Sequence, residues 1–193
     1  MLILCLVFVT SSCNDWLNIL PNNEQVTDDY WKSKEDVESV LASGYYYLRE
    51  SVPSLIKWGE LRGGAIYSNN AADTKLQDFN ITPNDALCDY STLYKAIGMA
   101  NSVIKYAPGV RNIDNTYYES MMKSNLCEAY FIRSYCYLIL LKNYKEVPLI
   151  TDAYVDDRQN FNQPKASDTL IVNQIKKDVT TALATGAAKT TYS

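Results

Sequence analysis

Glu128-Ala129-Tyr130-Phe131-Ile132-Arg133-Ser134-Tyr135-Cys136-Tyr137, running on to Tyr144-Lys145-Glu146-Val147-Pro148-Leu149, is the stretch whose reading decides the fold. Its spacing predicts the end of a long helix reaching from about Asp114 to Asn143. Leu126, Tyr130, Arg133, Tyr137, Leu141 and Tyr144 fall on one face, and Phe131, Tyr135 and Leu138 on another. A helix apolar on several sides is expected between neighbours. Arg133 lies on an apolar face. A buried guanidinium without a partner is too costly, so an ion pair with Glu128 or Asp178 is expected. Pro148 forbids more helix and turns Glu146–Ile150 into an extended exit.

The flanking sequence supplies more helices. Ser33-Lys34-Glu35-Asp36 reads as an N-cap followed by acids in the first turn. Val37, Val40, Leu41, Gly44 and Leu48 then form a helical stripe. Pro53 is expected to open a short second helix ending near Leu61, followed by a long polar loop to about Asn84. A third helix is expected from about Asp89 to Tyr106. Its stripe is Leu93, Ile97, Ala100, Ile104 and Ala107, and Pro108-Gly109 stops it. After a loop to Pro164, Ser167 or Asp168 caps a fifth helix with the stripe Val172, Ile175, Val179 and Ala182, ended by Gly186. Asn101 is expected to bond a neighbouring loop backbone. Small residues at helix crossings, such as Ala100 and Gly44, point to an all-α fold of stacked helical hairpins with long loops. Tetratricopeptide repeats pack in this way, although no regular repeat is visible.

Composition narrows function. The 193 residues carry 18 basic and 22 acidic side chains, a net charge of -4, which argues against nucleic acid as a partner. Histidine is absent, which removes His-based catalysis and His-ligated metal. No metal or cofactor is expected. Asp28-Asp29, Asp73 and Asp156-Asp157 lack the spacing of an EF-hand calcium loop. Tyrosine is abundant at 16 residues, most of them expected at half-buried helix-packing positions. Cys127 and Cys136 are nine apart on one helix and cannot bridge each other; free thiols are expected, with a disulfide from Cys88 to either as the alternative.

The amino terminus reads as a lipoprotein export signal. Leu2–Val9 is an uncharged apolar run of eight residues, too short to span a bilayer. Thr10-Ser11-Ser12 supplies small residues before Cys13, whose thiol is the expected lipid acceptor. Thr10 stands where a lipobox usually has Leu, and no Lys or Arg follows Met1. The expected organisation is a signal at 1–12, a lipidated tether at 13–32 and a helical domain at 33–193.

Trp58, Arg62, Tyr67, Asn69, Asn70 and Asp78 surround the polar loop and are the candidate ligand contacts. Sugar recognition wants an aromatic platform and polar groups for hydroxyls, and the loop has both. The competing reading places Trp58 in the core and leaves the rest solvated.

Several blocks, in order, resemble the SusD/RagB family of outer-membrane lipoproteins. They are Cys13-Asn14-Asp15-Trp16-Leu17, Tyr30-Trp31-Lys32-Ser33, Trp58-Gly59-Glu60-Leu61, Leu93-Tyr94-Lys95-Ala96-Ile97, the Glu128–Tyr137 block and Ile175–Ala182. Lys145-Glu146 stands where that family usually has Gly-Asp. The resemblance implies the N-terminal part of a longer SusD-like fold. It implies a non-catalytic, surface-exposed lipoprotein of the cell outer membrane that captures glycan or peptide cargo. A SusC-like TonB-dependent transporter is the implied partner. A helical scaffold for protein partners and a lipid-anchored glycosidase are the alternatives.

Overall fold

The computed structural model describes residues 30–155 and 162–189. The signal, Cys13, the tether up to residue 29 and Asp156-Asp157 lie outside the described residues. The unit from Trp31 onward contains α1 (Lys34–Ile56), α2 (Ala71–Gln77), α3 (Ser91–Ile113), α4 (Glu119–Tyr144) and α5 (Asp168–Ala184). A π-helical turn at Lys57–Leu61 and a 3-10 turn at Ala86–Cys88 complete its helical parts.

α1 starts where the sequence says. The Ser33 hydroxyl accepts from the Asp36 backbone N–H at 3.4 Å, and the Asp36 carboxylate accepts from the Ser33 N–H at 2.8 Å. Such a reciprocal cap contributes about 1 kcal/mol. α1 packs on α3, α3 on α4, and α4 on α5, while α1 also touches α4. This is the neighbour order of stacked helical hairpins. Val37 and Leu41 of α1, Leu93, Ile97 and Ala100 of α3, and Ile132 and Leu140 of α4 form the centre of the core. Each fully buried aliphatic of this kind contributes roughly 1.5–3 kcal/mol. At Gly44, an added Cβ would sit 3.4 Å from Ile132 Cδ1 and 3.5 Å from Met99 Cβ. Those are ordinary van der Waals distances, so Gly44 marks where α1 crosses α3 and α4 without a glycine being required there. The extended exit forms β1 (Val147–Pro148), paired antiparallel with β2 (Lys165–Ala166), Val147 opposite Ala166.

Both helical prolines depart from expectation. Pro53 lies inside α1, which runs directly into the π turn, and Pro108 lies inside α3, which continues to Ile113. Each proline forfeits one backbone donor, but both rings are exposed, and tertiary packing carries the helices through. α4 begins at Glu119, not Asp114. Asp114 instead closes α3, and its carboxylate accepts from the Lys34 N–H at 2.9 Å, joining the end of α3 to the start of α1.

The long loop is not structureless. It holds α2, which is too short to show a periodic stripe, and the 3-10 turn. Leu61, Leu76 and Leu87 form a small second core beneath it, with Trp58 and Ile81 alongside. α4 is also not surrounded on all sides. Phe131, Tyr135 and Leu138 are exposed, and Phe131 stacks on Tyr135 at 5.7 Å between centroids. α5 is rotated from the expected stripe: Val179 is exposed, while Ile171, Asp178 and Ala182 are buried. A polar residue occupies the buried face because Arg133 waits there. Gly186, at φ +70°, closes α5 as expected. Cys88, Cys127 and Cys136 are free thiols, and burial pushes the Cys136 thiol up to about 12.

Lys145 follows α4 with φ 60° and ψ −113°, a conformation that favours glycine. Lys145→Gly is expected to relieve that strain and stabilise the chain by about 1 kcal/mol. The check is an increase in the urea midpoint with an unchanged m-value.

Candidate functional site

Arg133 stands at the centre of a buried polar cluster. Its Nε donates to Asp178 Oδ2 at 2.8 Å and its Nη2 to Asp178 Oδ1 at 2.6 Å, a two-pronged pair. Nη1 donates to the Asn101 side-chain oxygen at 2.8 Å and to the Thr151 carbonyl at 3.0 Å. The Asn101 amide donates to the carbonyls of Ile150 and Asp152 at 3.1 and 3.2 Å, the backbone role its sequence context suggested. Tyr137 completes the set: its hydroxyl donates to the Ile150 carbonyl at 2.8 Å and accepts from the Ile150 N–H at 2.7 Å. Burial, the largest influence on the Tyr137 hydroxyl, pushes its pKa up and keeps it protonated as a donor. Of the two acids proposed for Arg133, Asp178 is the partner. Glu128 instead accepts from the Tyr45 hydroxyl at 2.9 Å. With its donors committed within the fold, Arg133 organises the structure instead of meeting cargo.

The candidate ligand residues separate into different roles. Trp58, in the π turn, is half-buried, and its indole N–H donates to the Leu87 carbonyl at 3.1 Å. Tyr144 meets the indole edge-on at 5.9 Å, and the Arg62 guanidinium lies over the ring at 5.5 Å. Trp58 is therefore bound into the small second core, with Arg62 over one face. Asn70 caps α2, its Oδ1 accepting from the Ala72 N–H at 2.9 Å. Tyr67, Asn69 and Asp78 are exposed, Tyr67 to 81%. The structure thus joins Trp58 to Arg62 and sets Tyr67, Asn69, Asn70 and Asp78 around α2.

Two carboxylates overlooked as contributors to this region hold it in shape. Asp73 pairs with Lys57 at 2.8 Å and accepts from the Ser68 hydroxyl at 2.9 Å. Asp85 pairs with Lys75 and accepts from the Thr82 N–H at 2.7 Å. The Lys57 ammonium holds the Asp73 carboxyl below its ordinary range, and Lys75 holds Asp85 down to about 2. Asp85 accepts from the N–H three residues before it, a spacing that local side-chain-to-backbone rules could have flagged.

Beside Trp58, α1 and α4 run in the same direction. Tyr45 meets Glu128 near one end, and Leu55 and Trp58 share a 230 Å³ groove with Tyr135, Leu138, Lys142 and Asn143 further along. Among the described residues, no group of three metal-ligating side chains occurs, and no helix is long and apolar enough to cross a membrane.

These helices, stacked as hairpins and fastened through an arginine of the fourth, define a tetratricopeptide-like scaffold. The chain belongs to the SusD-like family described as starch-binding and associating with the outer membrane, whose pattern matches residues 15–188. It is 26% identical over 184 residues to a SusD-like protein of Formosa agariphila, covering 92% of this chain and 35% of that protein. A SusD superfamily protein from Bacteroides thetaiotaomicron superposes with a TM-score of 0.71 at 23% identity, over 80% of this chain and 36% of that one. NanU of B. fragilis gives 0.70 at 20% identity, over 86% and 34%. A laminarin-binding SusD-like protein gives 0.66 at 22%, over 80% and 34%. The structural likenesses establish the fold. The chain spans about a third of the length of these relatives.

Two measurements check the assigned roles. Arg133→Met leaves Asp178 buried without a cation and is expected to cost about 3–5 kcal/mol in denaturant unfolding. A loss under 1 kcal/mol would contradict the central role given to Arg133. Asp73 and Asp85 have lowered folded-state values. Their stabilising effect is therefore present above the unfolded value of 3.8 and lost as pH falls through the lowered folded values, about 2 for Asp85. Amide exchange across residues 68–85 is expected to accelerate in that window before α4 loosens.

Proposed function

We propose that the protein is a non-catalytic glycan-binding lipoprotein of the outer membrane. On this reading Cys13 carries the lipid, residues up to 32 act as a tether, and the helical domain from residue 33 presents cargo. A SusC-like TonB-dependent transporter receives that cargo. The family match across residues 15–188 carries the proposal. The laminarin-binding relative favours glycan over peptide as the cargo class.

The chemistry of the α2 region supports the same reading. Tyr67, Asn69, Asn70 and Asp78 offer an exposed ring, amides and a carboxylate on a segment held by the two Lys–Asp pairs. Holding a binding segment in shape before cargo arrives lowers the ordering cost of association. Trp58 and Arg62 act as the base of this segment, since Trp58 is fixed to Leu87 and Arg62 lies over its ring. The exposed stripe Phe131, Tyr135 and Leu138 favours a second, protein-contacting role for α4.

Calorimetry with laminarin, soluble starch, xylan and mannan tests the cargo class. At least one is expected to bind, with Tyr67→Ala weakening it about five- to tenfold. Palmitate labelling in cells, lost in Cys13→Ala, tests the anchor. Co-purification of a TonB-dependent transporter from outer membranes tests the partner, and its consistent absence counts against the delivery role.

A further inference from the structure

Two residues other than glycine have left-handed backbone, Lys145 and Phe79, among the described residues. The Lys145 side chain is charged and exposed, and water solvates it. Phe79 has no such account. After α2, the Asn80 N–H bonds the Lys75 carbonyl at 2.8 Å, and the Phe79 N–H bonds the Leu76 carbonyl at 3.4 Å. This paired pattern is a Schellman stop, and Phe79 occupies the position that glycine usually takes. At φ 55° its Cβ crowds the backbone. Burial of a large ring could offset that cost. Phe79, however, is 73% exposed. A strained backbone that holds an apolar ring in water points to a role in binding.

Tyr67 belongs to the same unit. The adjacent Ser68 donates its N–H to the Gln77 side chain at 3.4 Å and its hydroxyl to Asp73 at 2.9 Å. These bonds tie the segment carrying Tyr67 to the helix whose stop carries Phe79. Asn69, Asn70, Asp78 and Asn80 are exposed around them. Ile66 is the one large aliphatic exposed between residues 62 and 85. A protein-docking patch would merge its rings into a continuous apolar core. Separate rings among amides and a carboxylate suit a ligand with apolar C–H faces and hydroxyl edges. A sugar ring has that chemistry.

We infer that Phe79, together with Tyr67, stacks on sugar rings of a glycan, and that its left-handed backbone is strain retained for this contact. The inference rests on the glycan-binding reading above. Phe79→Gly supplies the test, because binding and folding then move in opposite directions. In the full chain it is expected to raise Tm by about 2–4 °C and to weaken the bound glycan of the laminarin, starch, xylan and mannan set about five- to tenfold. Phe79→Tyr keeps a ring and is expected to keep both wild-type affinity and wild-type Tm. Wild-type affinity in Phe79→Gly overturns this inference and leaves the cargo reading intact. A lower Tm or failure to fold in Phe79→Gly makes the ring structural and also overturns it. Wild-type protein that binds none of the four glycans overturns both.

Discussion

The pairing of Arg133 with Asp178 is the constraint on which the rest depends. A guanidinium placed at the middle of a helical stack must be neutralised and hydrogen-bonded, or it is expelled. Here α5 contributes the carboxylate, α3 contributes Asn101, and the chain after β1 contributes the Thr151 carbonyl. The demand of one charge therefore determines which face α5 turns inward. It also explains why the segment 147–152 lies against α3 and α4. Tyr94 adds to the same fastening, its hydroxyl donating to the Pro148 carbonyl at 2.6 Å. Hydrophobic burial supplies most of the driving force, and the polar cluster ties α5 and the 147–152 segment to α3 and α4.

Much of this was legible from spacing and chemistry. The Ser33 cap, the α1 and α3 stripes, Gly44 at a crossing, the extended exit at Pro148 and the stop at Gly186 are all local features with local causes. Misreadings arose where tertiary contacts overrode a local rule. Pro53 and Pro108 look like helix boundaries until α1, α3 and α4 are packed together. Val179 looks like a core residue until Arg133 claims Asp178 for the inside. Phe131, Tyr135 and Leu138 look buried because periodicity reports an apolar face without saying what covers it. α2 escaped notice because seven residues carry too little pattern.

The candidate site was legible in composition but not in geometry. The polar loop does contain rings, amides and carboxylates. Trp58 and Asn70, read as ligand contacts by residue type, also serve as a small-core anchor and a helix cap. The Lys57–Asp73 and Lys75–Asp85 pairs give the loop its shape, and neither was visible as a pair before the fold placed α2. Phe79 was overlooked for a related reason. Its significance lies in a backbone angle and an exposure, and neither can be read from residue identity.

The separation of Arg133 from Asp178 along the chain, 45 residues, has a consequence for the order of folding. While a chain emerges amino-terminus first, the cation is available well before its carboxylate. Before α5 is in place Arg133 has Asn101 and the Thr151 carbonyl but no carboxylate, so the polar cluster is completed only when residue 178 has been made. α5 therefore acts as the closing member of the stack, supplying by one side chain the charge that the α3 and α4 groups leave unmatched.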